Sequence, residues 1–205
     1  MNAIATVFVI DDDPAVRDSL TLMLEEQEYA VRTFDSAEAF LALCPRLARA
    51  CAIIDMRMPG MDGLQLQSEL GRRGLALPVI FLTGHGEIPM SVRAMKAGAV
   101  DFLTKPVTVE ALLKAVRAAL LESERLKLRI DVNQTALAGV QSLTQREREI
   151  MAMVVQGLAN KEIARRLGIS HRTVEQHRGC VMKKMGADSL VDLVRLAEQS
   201  GLGAG

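Results

Sequence analysis

The sequence predicts an α/β domain built on a five-stranded, all-parallel sheet, followed by a small all-α domain of four helices. Three observations carry this prediction. Short apolar runs alternate with helix-period segments from Thr6 to about Leu120. Runs this continuously apolar are covered on both faces, as parallel strands flanked by helices are. From Gln141 onward the runs give way to closely spaced helix-start signals.

The strands fall at 6–10, 30–34, 51–54, 78–82 and 100–103. The first, Val7-Phe-Val-Ile10, ends at Asp11 and Asp12. Asp13 then suits the cap of a helix that opens at Pro14 and turns Val16, Leu20 and Leu24 inward. The third run, Cys51-Ala-Ile-Ile54, ends at Asp55 and a polar turn, Met-Arg-Met-Pro-Gly-Met-Asp-Gly63. Leu64, Leu66 and Leu70 mark the next helix, and Gly71, Gly74 and Pro78 punctuate its exit. The fourth run, Val79-Ile-Phe-Leu82, closes at Thr83, and Lys105 follows the fifth, near Val100 to Leu103.

From Thr108 to Ala138 there is no Gly or Pro, and Val109, Leu112, Leu113, Val116 and Leu120 form a core-facing stripe. A helix over this whole stretch would reach about 45 Å. A flexible tether after residue 125 is the alternative, and Gly139 offers a stop. Beyond it, Thr144-Gln-Arg-Glu147 reads as a capping box for a helix ending by Gly157. Asn160 is the expected cap of a short helix ending at Gly168, and Ser170 that of another lasting to about Met185, before Gly186. A last helix runs from Ser189 to about Glu198. The link Leu167-Gly-Ile-Ser170 makes residues 160–185 a helix-turn-helix unit. The expected boundaries are thus 4–121 for the α/β domain, 122–140 for a linker that extends the last helix or tethers it, and 141–205 for the helical domain.

With 205 residues, 49% of them hydrophobic and 24% charged, the chain can bury a substantial core. Its net charge of zero hides an asymmetry: residues 1–120 carry 12 Lys and Arg against 15 Asp and Glu, whereas residues 160–185 carry 7 against 2. An acidic front and a basic back imply two jobs. No apolar stretch approaches membrane-spanning length and no leader pattern precedes the first strand, so the expected location is the cytoplasm. Cys44, Cys51 and Cys180 share no ligand spacing with His85, His171 or His177, which points to inert thiols.

In an open parallel sheet, ligands bind beyond the carboxyl ends of strands where strand order reverses. In the flavodoxin-like order 2-1-3-4-5 that place lies between the first and third strands, which end at Asp11 and Asp55. Clustered carboxylates raise one another's pKa unless a cation neutralises them, and Mg²⁺ suits a few carboxylates plus waters and phosphate. Asp55 beside such an ion is a candidate nucleophile toward phosphorus, with Thr83 and Lys105 placed to bond the new phosphoryl oxygens. Turn-forming and capping roles compete for each residue singly.

These residues resemble the response-regulator receiver family. Asp11-Asp12, Asp55 with its following turn, Thr83-Gly-His-Gly and Lys105-Pro106 fall where that pattern requires them. The stretch from Thr83 to Pro106 looks specifically like the FixJ group. The resemblance implies that Asp55 accepts phosphate from a sensor histidine kinase. It further implies that Asp11, Asp12 and Asp55 bind Mg²⁺ with the backbone carbonyl of Arg57, and that Thr83 and Phe102 form the switch. Phe102 stands where many relatives have Tyr, so any switching there rests on ring packing. A cis Lys105-Pro106 bond is implied as well.

On a helical wheel, Val174, Val181 and Met185 lie on one side of the third C-terminal helix, opposite Arg172, Glu175, Gln176, Gly179 and Lys183. Guanidinium, carboxylate and amide groups read base edges in a major groove. Lys161, Arg165, Arg166, Arg178, Lys183 and Lys184 can neutralise phosphates. With 3% aromatic residues and no Trp there is no stacking platform for single strands, so duplex DNA is the expected target. His177 falls beside Val174 and Val181, which favours a structural role. Leu143-Thr-Gln-Arg-Glu147, Asn160-Lys-Glu-Ile-Ala164 and Thr173-Val174 resemble the LuxR-type helix-turn-helix family, which adds Thr173 to the DNA-contacting set. Glu175 replaces a basic residue common in relatives.

Together these readings imply a two-component transcription activator. Its expected partners are a histidine kinase, promoter DNA, RNA polymerase and a second copy of itself after phosphorylation. A small-molecule phosphatase and a phosphorylation-independent DNA binder are the rival readings. The first predicts turnover without a protein phosphodonor, and the second makes the acid set superfluous.

Overall fold

The computed structural model describes residues 4–43, 49–84 and 93–200, which form two compact units, Met1–Lys127 and Leu128–Gly205. In the first, β1 (Thr6–Ile10), β2 (Ala30–Phe34), β3 (Ala50–Asp55), β4 (Val79–Thr83) and β5 (Asp101–Thr104) make one parallel sheet in the order β2-β1-β3-β4-β5. The register sets Ile10 beside Ile54 and Asp55 beside Leu82, so the ends of β1 and β3 are neighbours at the reversal point.

Alternation along each strand divides the core in two. Val7, Val9, Cys51, Ile53, Ile80 and Leu82 face α1 (Pro14–Glu25) and the first part of α4 (Val109–Ser142), where Leu20, Leu24, Leu112 and Val116 meet them. Phe8, Ile10, Ala52, Ile54 and Phe81 face α2 (Ala37–Leu43) and α3 (Gly63–Arg72), through Phe40, Leu66 and Leu70. Both faces of β3 are sealed because side chains of period two serve two helix layers. β2, at the edge, is half exposed.

Asp13 caps α1 by accepting from the Ala15 amide, and Asp62 caps α3 in a capping box with Gln65. α4 is one unbroken helix of 34 residues, so no tether interrupts it after residue 125. Gly139 does not stop it: a Cβ there would sit 3.1 Å from Met185 Sδ and 3.2 Å from the Lys184 carbonyl oxygen. Glycine is used at this point for close approach rather than for termination.

The second unit packs the end of α4 with α5 (Gln145–Val155), α6 (Asn160–Leu167), α7 (His171–Met185) and α8 (Leu190–Gln199). Its core includes Ala136, Leu143, Ile150, Val154, Ile163, Val174, Val181, Leu193 and Leu196. Thr144 caps α5 in the capping box with Glu147, and Ser170 and Ser189 cap α7 and α8. The expectation for Asn160 is corrected: Ala159 holds the N-cap position of α6 without a side-chain bond. Asn160 stands one residue inside the helix, and its amide oxygen accepts from Arg178 Nη1 at 2.5 Å. Gly168 adopts φ +64°, a left-handed conformation that suits glycine at the turn between α6 and α7.

Candidate functional site

β1 ends at Asp11 and β3 at Asp55, and pairing of the two strands brings both carboxylates to one edge of the sheet. Asp11 and Asp55 are buried and Asp12 is exposed. One oxygen from each lies within 4.8 Å of the others. Lys105, just after β5, crosses the gap between them. Its Nζ is 2.6 Å from Asp11 Oδ2 and 2.7 Å from Asp55 Oδ1. The remaining oxygens are also engaged: Asp13 N donates to Asp11 Oδ1 at 2.9 Å, and Arg57 N to Asp55 Oδ2 at 3.0 Å.

Burial pushes the Asp55 carboxyl above its ordinary value, and the Lys105 hydrogen bond only partly opposes this. Burial also works against the Lys105 ammonium, but its bonds to Asp11 and Asp55 together outweigh that and hold its pKa above the usual lysine range. The site thus concentrates negative potential on a spot that already holds a cation. Three hard oxygen donors of this kind fit Mg²⁺, with Asp11, Asp12 and Asp55 as the side chains that would hold it.

Thr83 is buried at the end of β4, paired in register with Thr104, and its hydroxyl donates to the Gly84 carbonyl at 3.1 Å. Phe102 is half-buried, sits opposite Phe81 in the β4–β5 ladder and packs on the Phe-rich face of the sheet. The Lys105-Pro106 peptide is cis. His85 lies outside the described residues, and the described residues 93–96 are helical. Cys51 is buried, and burial pushes its thiol up to about 12, which makes it inert. Cys180 is exposed, and Cys44 lies outside the described residues.

Two supporting side chains carried no sequence signal. Arg17 Nη1 donates to the Asp11 carbonyl at 2.6 Å and steadies the first acid. Glu38 Oε1 accepts from Met61 N at 3.2 Å and pins the turn after Asp55. Both are exposed or half-exposed residues of ordinary type, and only folding brings them to loops 6 and 23 positions away.

In the second unit, Val174, Val181 and Met185 of α7 are buried, while Arg172, Glu175, Gln176, Gly179 and Lys183 are exposed together. Thr173 is half-buried, and its hydroxyl lies 2.8 Å from that of Ser170. His171 Nδ1 lies 3.6 Å from Glu175 Oε1. Lys161 is exposed near the start of α6. Arg178 is half-buried and tied to Asn160, which braces α6 against α7. Lys184 reaches inward, 2.6 Å from the buried Glu147. Its bond, with that of the Thr144 amide, brings the Glu147 carboxyl down to about 2. The sequence did not show this pair, because residues 37 positions apart meet only when α5 packs on α7.

Residues 7–117 match the response regulator receiver domain family, and residues 141–197 match the bacterial regulatory proteins of the luxR family. The chain is 48% identical over 196 residues to the transcriptional regulatory protein FixJ of Azorhizobium caulinodans, spanning 96% of this chain and 93% of that one. Its structure resembles that of the response regulator StyR, with a TM-score of 0.80 and 44% identity over 96% of this chain and 100% of that one. Full-length FixJ from B. japonicum gives a TM-score of 0.59 and 43% identity over 97% and 98%. The acid edge lies inside the first matched segment and the exposed face of α7 inside the second. The protein therefore belongs to the FixJ-like response regulators, two-component transcription regulators that join a receiver domain to a LuxR-type DNA-binding domain.

Proposed function

We propose that Asp55 is the phosphoacceptor and that its phosphorylation turns on operator binding by the C-terminal domain. The observation that carries the reading is the Lys105 ammonium set between Asp11 and Asp55 at 2.6 and 2.7 Å, at the reversal point of the sheet. In the proposed step an Asp55 oxygen attacks phosphorus, a P–O bond forms and the P–N bond to the kinase histidine breaks. Lys105 then leaves Asp55 to pair with the phosphoryl oxygens, and the Thr83 hydroxyl turns to donate to them. Asp11, Asp12, Asp55 and the Arg57 carbonyl hold Mg²⁺, which supplies charge neutralisation when bound. Family membership makes this chain a regulator and not a dedicated enzyme.

Arg172, Thr173, Glu175, Gln176 and Gly179 are the proposed base-reading set, and Lys161, Arg178 and Lys183 the proposed phosphate contacts. Inward movement of Thr83 repacks Phe102, and two receivers then pair. Two linked DNA modules gain from effective concentration on a two-half-site operator. The protein acts in the cytoplasm as an activator that engages RNA polymerase at the promoter. The domains run 4–121 and 141–205, with 122–140 as the helical link.

The test compares mass by gel filtration, and operator affinity, before and after treatment with a small-molecule phosphodonor and Mg²⁺. A dimer and tighter operator binding are expected, and Asp55→Asn abolishes both changes while sparing basal DNA binding. Confirmed phosphate on Asp55 with neither change would sink the switch.

A further inference from the structure

We infer that the middle of α4 is a seam for a second copy of this chain, a short parallel coiled coil over residues 117–135. The inference rests on the phosphorylation-driven pairing proposed above and names the surface that completes it. Along this stretch Ala118, Leu121, Arg125, Leu128, Val132 and Thr135 are all exposed. Leu121, Leu128 and Val132 keep 52%, 65% and 39% of their surface in water. Their spacing alternates three and four residues, so at about 100° per residue all six fall on one narrow strip of the helix.

The strip has the composition of a seam rather than of a solvated face. Leu121 and Leu128 stand at d positions, and Ala118 and Val132 at a positions. The flanks give it a partner and a direction. Arg117, Glu124 and Asp131 are at g; Glu122 and Arg129 are at e. In a parallel pair each g residue meets the e residue five positions on in the opposite helix. Arg117 then faces Glu122 of the second copy, and Glu124 faces Arg129 of the second copy, both opposite in sign. Each pair occurs twice by symmetry. Glu124 also binds Arg49 at 2.8 Å within its own chain, and its side chain remains half exposed for a second contact. C-terminal to Thr135 the seam ends, because Ala136 and Gly139 turn into the core of the second unit.

Arg125 sets the strength of the seam. It occupies the central a position, where it pairs with Glu122 of its own chain at 3.6 Å, and a charged group there weakens association. About two and a half heptads interrupted by an arginine do not hold two chains together alone. They add their contacts once another surface has raised the local concentration. The seam is therefore conditional on receiver pairing.

The test uses the full chain carrying Cys44→Ser and Cys180→Ser, with one new cysteine at Leu128→Cys or, on the far side of the helix, at Gln134→Cys. After phosphodonor and Mg²⁺, mild oxidation joins Leu128→Cys chains at least about tenfold faster than Gln134→Cys chains, a margin set by the d-position geometry. Arg125→Leu lowers the dimer dissociation constant of the unphosphorylated protein by about tenfold or more, since it places an apolar residue at a. Equal crosslinking at both positions overturns the seam, as does a phosphorylated dimer by sedimentation that Leu128→Cys fails to crosslink. Either result leaves receiver pairing standing. A chain that carries phosphate on Asp55 and stays monomeric overturns the proposed switch and the seam together.

Discussion

Gly63 opens α3 directly behind the proposed phosphoacceptor, and Gly63→Ala is the sharpest single perturbation of the acid edge. A Cβ there would lie 2.5 Å from the Asp55 carbonyl oxygen, 3.1 Å from Phe81 Cε1 and 3.2 Å from Ile54 Cγ2. Ordinary contact begins near 3.4 Å, so the Asp55 backbone and α3 must part by about 0.9 Å. All three neighbours belong to buried strands, and overpacking of this kind costs about 1–3 kcal/mol. Alanine returns at most about 1 kcal/mol of backbone entropy. The expected loss is about 2 kcal/mol, or a fall of about 1 M in the urea midpoint for a slope near 2 kcal/mol per M. Tyr29, the only tyrosine in a chain without tryptophan, packs on the first unit's core and reports on that unit alone. Moving Asp55 by most of an ångström also slows phosphate uptake from a small phosphodonor, by about ten- to a hundredfold. Gly71→Ala is the control: nothing lies within 4 Å of its Cβ, and it should be neutral or stabilising by up to about 1 kcal/mol. A Gly63→Ala protein with wild-type midpoint and uptake rate would refute the close-approach reasoning.

Lys105→Met strips the counter-charge from Asp11 and Asp55. Breaking a buried pair costs about 3–5 kcal/mol, reduced to about 2 by the exposure of Lys105, and Mg²⁺ should restore part of it in Tyr29-monitored unfolding. An equal loss with and without Mg²⁺ contradicts a shared cation site. The Glu147 carboxyl sits at about 2 against an ordinary 4.5, so its contribution is full above about pH 4.5 and is lost as pH falls toward 2. Glu147→Gln should flatten the acid limb of the unfolding transition to which Tyr29 is blind, and an unchanged limb excludes the Lys184 pair as its cause. Lys183→Ala should weaken operator and random DNA alike and reduce the salt slope by about one, whereas Gln176→Ala should change base preference. Binding titrations at several salt concentrations separate the two.

Much of this was legible because period-two and helical patterns are local. The runs ending at Asp11, Asp55 and Thr83 marked the strand ends, and the capping box at Thr144 uses residues three apart. Asn160 shows where locality misleads: its residue type suits a cap, but Arg178 offers it a charge-assisted bond from the next helix, and Ala159 takes the cap position. Gly139 shows the same for a stop signal, since crowding by Met185 explains the glycine.

The sequence by itself determined the parallel sheet, the helix-turn-helix and the residue types at both sites, because strand alternation, helix caps and turn residues act over a few neighbours. Only the tertiary structure decided what those residues touch. It set Lys105 between two buried acids, turned Lys184 inward to Glu147 and left Leu121, Leu128 and Val132 uncovered on a continuous α4. Contacts across tens of residues depend on how the elements pack, and no local pattern encodes that distance.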